Sequence, residues 1–118
     1  YLIMGIDAFA EIENWKFYEP LFDRIEVIVL SRPAGGSQGR LIAALREMIA
    51  ARISPEYSYD ERARGFIHPE KRTIYPFEVT PLDISATRIR ALAAGGASIR
   101  YLVPPAVAAY IDNKRLYL

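Results

Sequence analysis

Ile25-Glu26-Val27-Ile28-Val29-Leu30 is the stretch that decides the fold class, because it is almost entirely apolar and mostly β-branched. A continuous apolar run of this kind suits a parallel strand that is covered on both faces. Arg32-Pro33 follows and closes the strand. Upstream, the apolar run from Tyr1 to Met4, which Gly5 ends, predicts a second buried strand for the same reason.

Helical patterns alternate with these strands. Asp7 can cap a helix after the first strand, and an apolar stripe at helical spacing predicts a longer helix over residues 40–53. The members of that stripe are Leu41, Ala44, Leu45, Met48 and Ile49. Residues 54–71 are polar and show no sustained period, so no conformation is predicted for them.

The last third of the chain adds one strand and two helices. Residues 73–79 predict a third strand, which Pro76 pushes toward a sheet edge or a bulge because proline cannot donate to a ladder. Ser85 is a good N-cap for a helix that Gly95-Gly96 ends, and Pro104-Pro105 suits the first turn of a final helix. This alternation predicts an α/β fold with a mainly parallel sheet and flanking helices, formed as a single domain.

Composition narrows the function classes. The 118 residues suit one domain, and a net charge of +1 provides no long-range field for nucleic acid or an anionic membrane. No apolar run approaches the roughly 20 residues that a membrane-spanning helix needs, and the sequence has no cysteine for a disulfide or a thiolate metal site. We therefore expect a soluble, cytoplasmic protein without nucleic-acid or membrane partners, in which any anion binding is local.

One segment has the outline of an anion site. Ser85-Ala86-Thr87-Arg88-Ile89-Arg90 places two hydroxyl groups and two guanidinium groups at the start of a predicted helix. Free backbone N–H groups and the positive end of the helix dipole favour phosphate there, and arginine can bind phosphate oxygens with two hydrogen bonds. Thr87 and Arg90 are three residues apart and should share a face. The alternative is that Ser85 only caps the helix and that the arginines are only solvated.

Four blocks of the sequence carry a resemblance to a known family. They are Gly5-Ile6-Asp7-Ala8-Phe9 with the following Trp15-Lys16, Ile28-Val29-Leu30-Ser31-Arg32-Pro33, Val79-Thr80-Pro81-Leu82-Asp83-Ile84-Ser85-Ala86-Thr87-Arg88-Ile89-Arg90, and Ile99-Arg100-Tyr101-Leu102-Val103-Pro104. In order and spacing they resemble the C-terminal half of bacterial nicotinate-mononucleotide adenylyltransferases, which belong to the nucleotidylyltransferase superfamily. The resemblance implies a Rossmann-like fold and a reaction of NAD biosynthesis, in which ATP and nicotinate mononucleotide yield deamido-NAD and pyrophosphate with Mg²⁺.

The resemblance also implies roles for the residues at the start of the predicted helix. Ser85, Thr87 and Arg90 would bind the ATP phosphates, and Ile84 would lie near the adenine. Arg88 occupies a variable place in the family, so no role is carried over to it.

The upstream blocks would contact both substrates. Asp7 would contact the ribose of ATP, and Gly5 would let the nucleotide approach the backbone closely. The family's tryptophan, here Trp15, stacks on the pyridine ring of the mononucleotide, and a pyridinium is attracted to an aromatic face. The backbone N–H of Lys16 would hold the nicotinate carboxylate, and Arg32 would lie near the mononucleotide phosphate. The residues alone leave three alternatives open, namely a helix cap for Asp7, a core anchor for Trp15 and a strand-end charge for Arg32.

The catalytic histidine pair of the superfamily has no counterpart in this chain. Members carry a Gly-x-Phe-x-Pro-x-His-x-Gly-His motif that orients the ATP phosphates, whereas His68 is the only histidine here. We reject His68 as a general base, because it precedes Pro69 in a polar segment with no nearby Ser, Cys or metal-ligand spacing and is expected to be solvated. No catalytic or metal-binding residue is therefore assigned within the chain.

Two consequences and two alternatives follow. The chain by itself is expected to be inactive, and marginally stable or homo-oligomeric, because its first strand would present an unpaired edge. A sister nucleotidylyltransferase that acts on nicotinamide mononucleotide or phosphopantetheine is one alternative, although Trp15 with the Asp-Ile-Ser-Ala-Thr block favours the nicotinate enzyme. A non-catalytic nucleotide-binding module is the other.

Overall fold

The computed structural model describes residues 1–31, 38–80, 82 and 84–118, and these form two compact units, Tyr1–Pro81 and Leu82–Leu118. The strands of the first unit are β1 (Leu2–Gly5), β2 (Val27–Ser31), β3 (Ser58–Asp60), β4 (Gly65–Ile67) and β5 (Ile74–Glu78). Its helices are α1 (Ile6–Ala10), α2 (Tyr18–Arg24) and α3 (Gln38–Arg52), with a 3₁₀ turn at Ile12–Asn14. The second unit contains α4 (Ala86–Ala94) and α5 (Pro105–Asn113).

The described strands form a single mixed sheet in the order β1-β2-β5-β4-β3. The strands β1, β2 and β5 are parallel to one another, while β4 runs antiparallel to both β5 and β3. The predicted α/β class with flanking helices is therefore confirmed. The short β3 and β4 lie within residues 54–71, the segment for which the sequence offered no prediction.

The position of Pro76 differs from the prediction, because β5 lies between β2 and β4 and not at an edge. The Val79 N–H donates to the Ser31 carbonyl oxygen at 3.1 Å. Since N–H groups in a parallel strand alternate between its two sides, position 76 directs its nitrogen away from β2. On that side β4 pairs with β5 only through Phe66 and Ile74. The missing N–H of Pro76 therefore removes no hydrogen bond between β5 and β2.

One core cluster holds the first unit together. Val27, Val29 and Ile74 are fully buried on one face of the sheet, in the same cluster as the apolar residues of all three helices. The predicted stripe of α3 is confirmed, since Leu41, Leu45 and Ile49 point into this cluster and Ala44 and Met48 are partly buried. The hydrophobic effect of this burial is the main stabilising contribution to the unit.

The opposite face of the sheet is not covered as expected. Ile3 is 61% exposed, although the apolar run at β1 predicted a strand buried on both faces, and Phe77 of β5 is 58% exposed. In a strand, successive side chains point to opposite faces, and the core cluster takes only those of Val27, Val29 and their neighbours. β1 lies at one end of the described strand order, as predicted.

The helix boundaries of the second unit follow the predicted signals. Ser85 caps α4 through its side chain, and Gly96 ends it with a φ of +68°, a left-handed conformation that glycine adopts without steric cost. The N–H of Ala97 donates to the Leu92 carbonyl at 2.9 Å, which closes the helix end. α5 begins at Pro105, where the absent N–H would have had no helical partner. None of the described helices has the length and apolar character needed to cross a bilayer.

Candidate functional site

The carboxyl end of β1 carries the first two predicted site residues. Ligands of parallel sheets bind beyond the carboxyl ends of the strands, and Gly5 and Asp7 lie there, both exposed. Gly5 has an ordinary extended backbone, with φ −73° and ψ 156°, and a Cβ at this position would meet no atom within 4 Å. The fold itself therefore does not require glycine at position 5.

Asp7 does not cap α1. The helix begins at Ile6 with Gly5 as its N-cap, and no side chain makes a capping hydrogen bond there. Asp7 lies in the first turn instead, where the positive end of the helix dipole favours its negative charge. Its carboxylate is exposed and can accept hydrogen bonds from hydroxyl groups of a ligand.

Trp15 follows the 3₁₀ turn and presents its ring to solvent. Its N–H donates to the Ile12 carbonyl oxygen at 3.0 Å, which closes the turn. The side chain is 43% exposed and is not part of the core cluster, so the alternative that Trp15 anchors the core is wrong. An exposed indole ring is available for stacking on a flat ligand.

Phe17 is a neighbour that the sequence did not single out. It precedes α2 in the left-handed conformation, with φ 58°, and its ring is 77% exposed. The ammonium of Lys16 lies 5.2 Å from the centroid of that ring. The alternation of aromatic and basic residues in Trp15-Lys16-Phe17 was the only available signal, because backbone conformation leaves no trace in a hydrophobic pattern.

Arg52, the last residue of α3, supports the segment that carries Trp15. Its guanidinium donates to the Ala10 carbonyl oxygen and lies 3.8 Å from the Glu13 carboxylate. Its own carbonyl oxygen accepts a hydrogen bond from the Tyr18 hydroxyl at 3.1 Å. The chain is thus tied to the end of α3 on both sides of Trp15.

In the second unit, the start of α4 has the geometry that the sequence predicts. The Ser85 hydroxyl oxygen accepts from the Arg88 N–H at 3.1 Å, so Ser85 is a cap. The Arg90 guanidinium donates to the Thr87 hydroxyl oxygen at 3.3 Å, which confirms that these two side chains share a face. Both hydroxyl groups still have a proton to donate, and Ser85, Thr87 and Arg90 are exposed. Ile84, just before the cap, is partly buried.

Arg32 lies outside the described residues, as do Pro81 and Asp83 of the third block. The remaining predicted residues fall into two groups. Gly5, Asp7, Trp15 and Lys16 belong to the first unit, and Ile84, Ser85, Thr87 and Arg90 belong to the second. Within each unit the structure shows exposed groups that can contact a ligand.

The side chain of His68 is buried and hydrogen-bonded, which corrects the expectation that it is solvated and lacks a nearby serine. Its side chain is 2% exposed, and Nε2 lies 3.1 Å from the Ser54 hydroxyl oxygen and 3.3 Å from the Glu56 carboxylate. Nδ1 accepts from the N–H groups of Glu70 and Lys71 at 3.0 and 3.1 Å. The sequence separates His68 from Ser54 by 14 residues, and only the antiparallel β3–β4 pairing brings them together.

The same bonds decide what His68 can do. Because Nδ1 accepts two hydrogen bonds, the ring proton of the neutral imidazole lies on Nε2, which then donates to Ser54 or Glu56. A base that activates a serine needs its lone pair directed at the hydroxyl group. The arrangement therefore links two turns and does not form a nucleophilic site, so the rejection of His68 as a general base stands for a different reason.

No family model matches the chain, whereas individual curated proteins do. A protein of Geobacter sp. (strain M21), named probable nicotinate-nucleotide adenylyltransferase, is 39% identical over 118 residues, which is all of this chain and 52% of the relative. One of the same name from Pseudomonas syringae pv. tomato is 38% identical over 117 residues, or 99% of this chain and 49% of the relative. The chain is a homologue of the nicotinate-nucleotide adenylyltransferases. It spans about half the length of these relatives.

A solved structure shares the fold of this chain. The nicotinic acid mononucleotide adenylyltransferase of Plasmodium falciparum, solved in complex with APC, superposes with a TM-score of 0.52 and 16% identity. The match covers 98% of this chain and 48% of that structure. At this identity the likeness concerns the fold, and it confirms the Rossmann-like nucleotidylyltransferase architecture predicted for the chain.

Proposed function

We propose that the protein containing this chain transfers the adenylyl group of ATP to nicotinate mononucleotide in the cytoplasm, as a step of NAD biosynthesis. The observation that carries this proposal is the 39% identity, over every residue of the chain, to a relative named for that reaction. Because the chain spans about half of such relatives, the activity belongs to the complete protein. The chain is then one portion of a single nucleotidylyltransferase domain and is expected to be inactive alone.

The proposed reaction is one displacement at phosphorus. A phosphate oxygen of nicotinate mononucleotide attacks the α-phosphorus of ATP, and the bond from that phosphorus to the bridging β-oxygen breaks, so that pyrophosphate leaves and deamido-NAD forms. No covalent enzyme intermediate is needed, and catalysis consists of positioning and of stabilising negative charge. The residues of this chain supply binding groups for both substrates.

Each group of residues supports one part of this reaction. The exposed Arg90 guanidinium, with the hydroxyl groups of Ser85 and Thr87, offers donors for phosphate oxygens at the start of α4. The exposed Asp7 carboxylate offers an acceptor for the ribose hydroxyl groups of ATP. The exposed Trp15 ring offers a face for the pyridinium of the mononucleotide.

Mg²⁺ is the metal ion that the proposed reaction requires. No three His, Cys, Asp or Glu side chains among residues 1–31, 38–80, 82 and 84–118 are placed to hold a metal ion. Mg²⁺ commonly binds substrate phosphates and few protein groups, so it would enter with ATP.

The test is an acceptor comparison with the complete gene product that contains this chain. Pyrophosphate release from ATP should require nicotinate mononucleotide and should be slower with nicotinamide mononucleotide or phosphopantetheine. Equal or faster use of either alternative acceptor would reject the substrate assignment. ATP binding without pyrophosphate release for any of the three would indicate a non-catalytic nucleotide-binding module.

A further inference from the structure

We draw no further inference here: the strongest candidate, the exposed apolar surface that Val107 and Tyr110 form on α5, supports no proposal, because nothing in the part of the chain that the structure describes shows what covers it.

Discussion

The guanidinium of Arg52 donates a hydrogen bond to the carbonyl oxygen of Ala10, a residue 42 positions earlier in the chain. Arg52 ends α3 and Ala10 ends α1, so the bond fixes the end of the longest helix against the segment that leads to Trp15. Glu13, in the 3₁₀ turn between them, pairs with the same guanidinium. The position of the exposed indole thus depends on an interaction far from it in sequence.

Replacing Arg52 should affect the mononucleotide more than ATP. Arg52→Ala removes a charged hydrogen bond and should lower the free energy of unfolding by about 1.5–3 kcal/mol, because the Ala10 carbonyl loses its donor. The KM for nicotinate mononucleotide should rise several-fold, since the Trp15 segment loses support. Urea unfolding and steady-state kinetics measure the two effects. Arg46→Ala, at an exposed position on the same helix, is the control, and equal effects of the two variants would contradict the role of Arg52.

Gly5→Ala should separate binding from stability. The backbone of Gly5 is extended and an added Cβ would meet nothing within 4 Å, so the free energy of unfolding should change by less than about 0.5 kcal/mol. If a nucleotide approaches the backbone here, the methyl group should raise the KM for ATP. Gly65→Ala is the contrasting control, because its Cβ would lie 2.8 Å from Thr73 Cγ2 and 2.9 Å from Tyr75 Cδ1. That variant should be destabilised; an unchanged KM for ATP in Gly5→Ala would reject the close approach.

The two arginines at the start of α4 should differ. Arg90 shares a face with Thr87, whereas the resemblance assigns Arg88 no role. Arg90→Ala should weaken ATP binding roughly ten- to a hundredfold, which is the loss expected for one charged hydrogen bond. Arg88→Ala should have a clearly smaller effect. Calorimetric titration with ATP checks the difference, and similar losses in both variants would show that the wrong arginine was chosen.

Tyr57 should make stability depend on alkaline pH. Burial, and secondarily the Asp23 carboxylate, raise the pKa of the Tyr57 phenol well above its usual range, and the hydroxyl donates to the Arg72 carbonyl at 2.8 Å. The folded state therefore holds this proton more tightly than the unfolded chain. Its contribution is complete below the unfolded value of about pH 10 and is lost as the pH rises toward the folded value.

The measurement compares urea unfolding of the wild type and Tyr57→Phe. At neutral pH the variant should be less stable by about 1 kcal/mol, because it lacks the hydrogen bond to Arg72. Above about pH 10 the difference should shrink, since only the wild type has this phenol to ionise on unfolding. A difference that stays constant from neutral to alkaline pH would argue against the raised pKa.

Much of the fold was predictable because it rests on local patterns. The apolar runs at β1 and β2, the stripe of α3 and the cap at Ser85 all lie within single elements and appear where the sequence places them. The edge position predicted from Pro76 was wrong. A proline fits inside this sheet because β4 does not extend along β5 as far as residue 76. A helix cap was one alternative role for Asp7, and the start of α1 at Ile6 excludes that role.

The residues of the candidate site were predictable from the sequence, whereas their exposure and conformation were not. The order of the motifs indicated Trp15, and the anion-site pattern together with the motifs indicated Arg90; the similarity to proteins named nicotinate-nucleotide adenylyltransferase covers all or nearly all of this chain and about half of each relative. The exposure of Trp15 and the conformation of Phe17 were not available from any pattern, because both depend on what packs nearby.

By itself, the sequence determined the α/β class, the ends of α4, the start of α5 and the family resemblance, since periodicity, capping residues and motifs act over a few neighbouring positions. Only the tertiary structure decided that His68 is buried against Ser54 and that Arg52 holds Ala10. Each of these bonds joins residues that are far apart in the sequence, and burial sets the cost of leaving such groups unpaired. Tertiary packing therefore determines these side-chain positions, which the local sequence pattern does not specify.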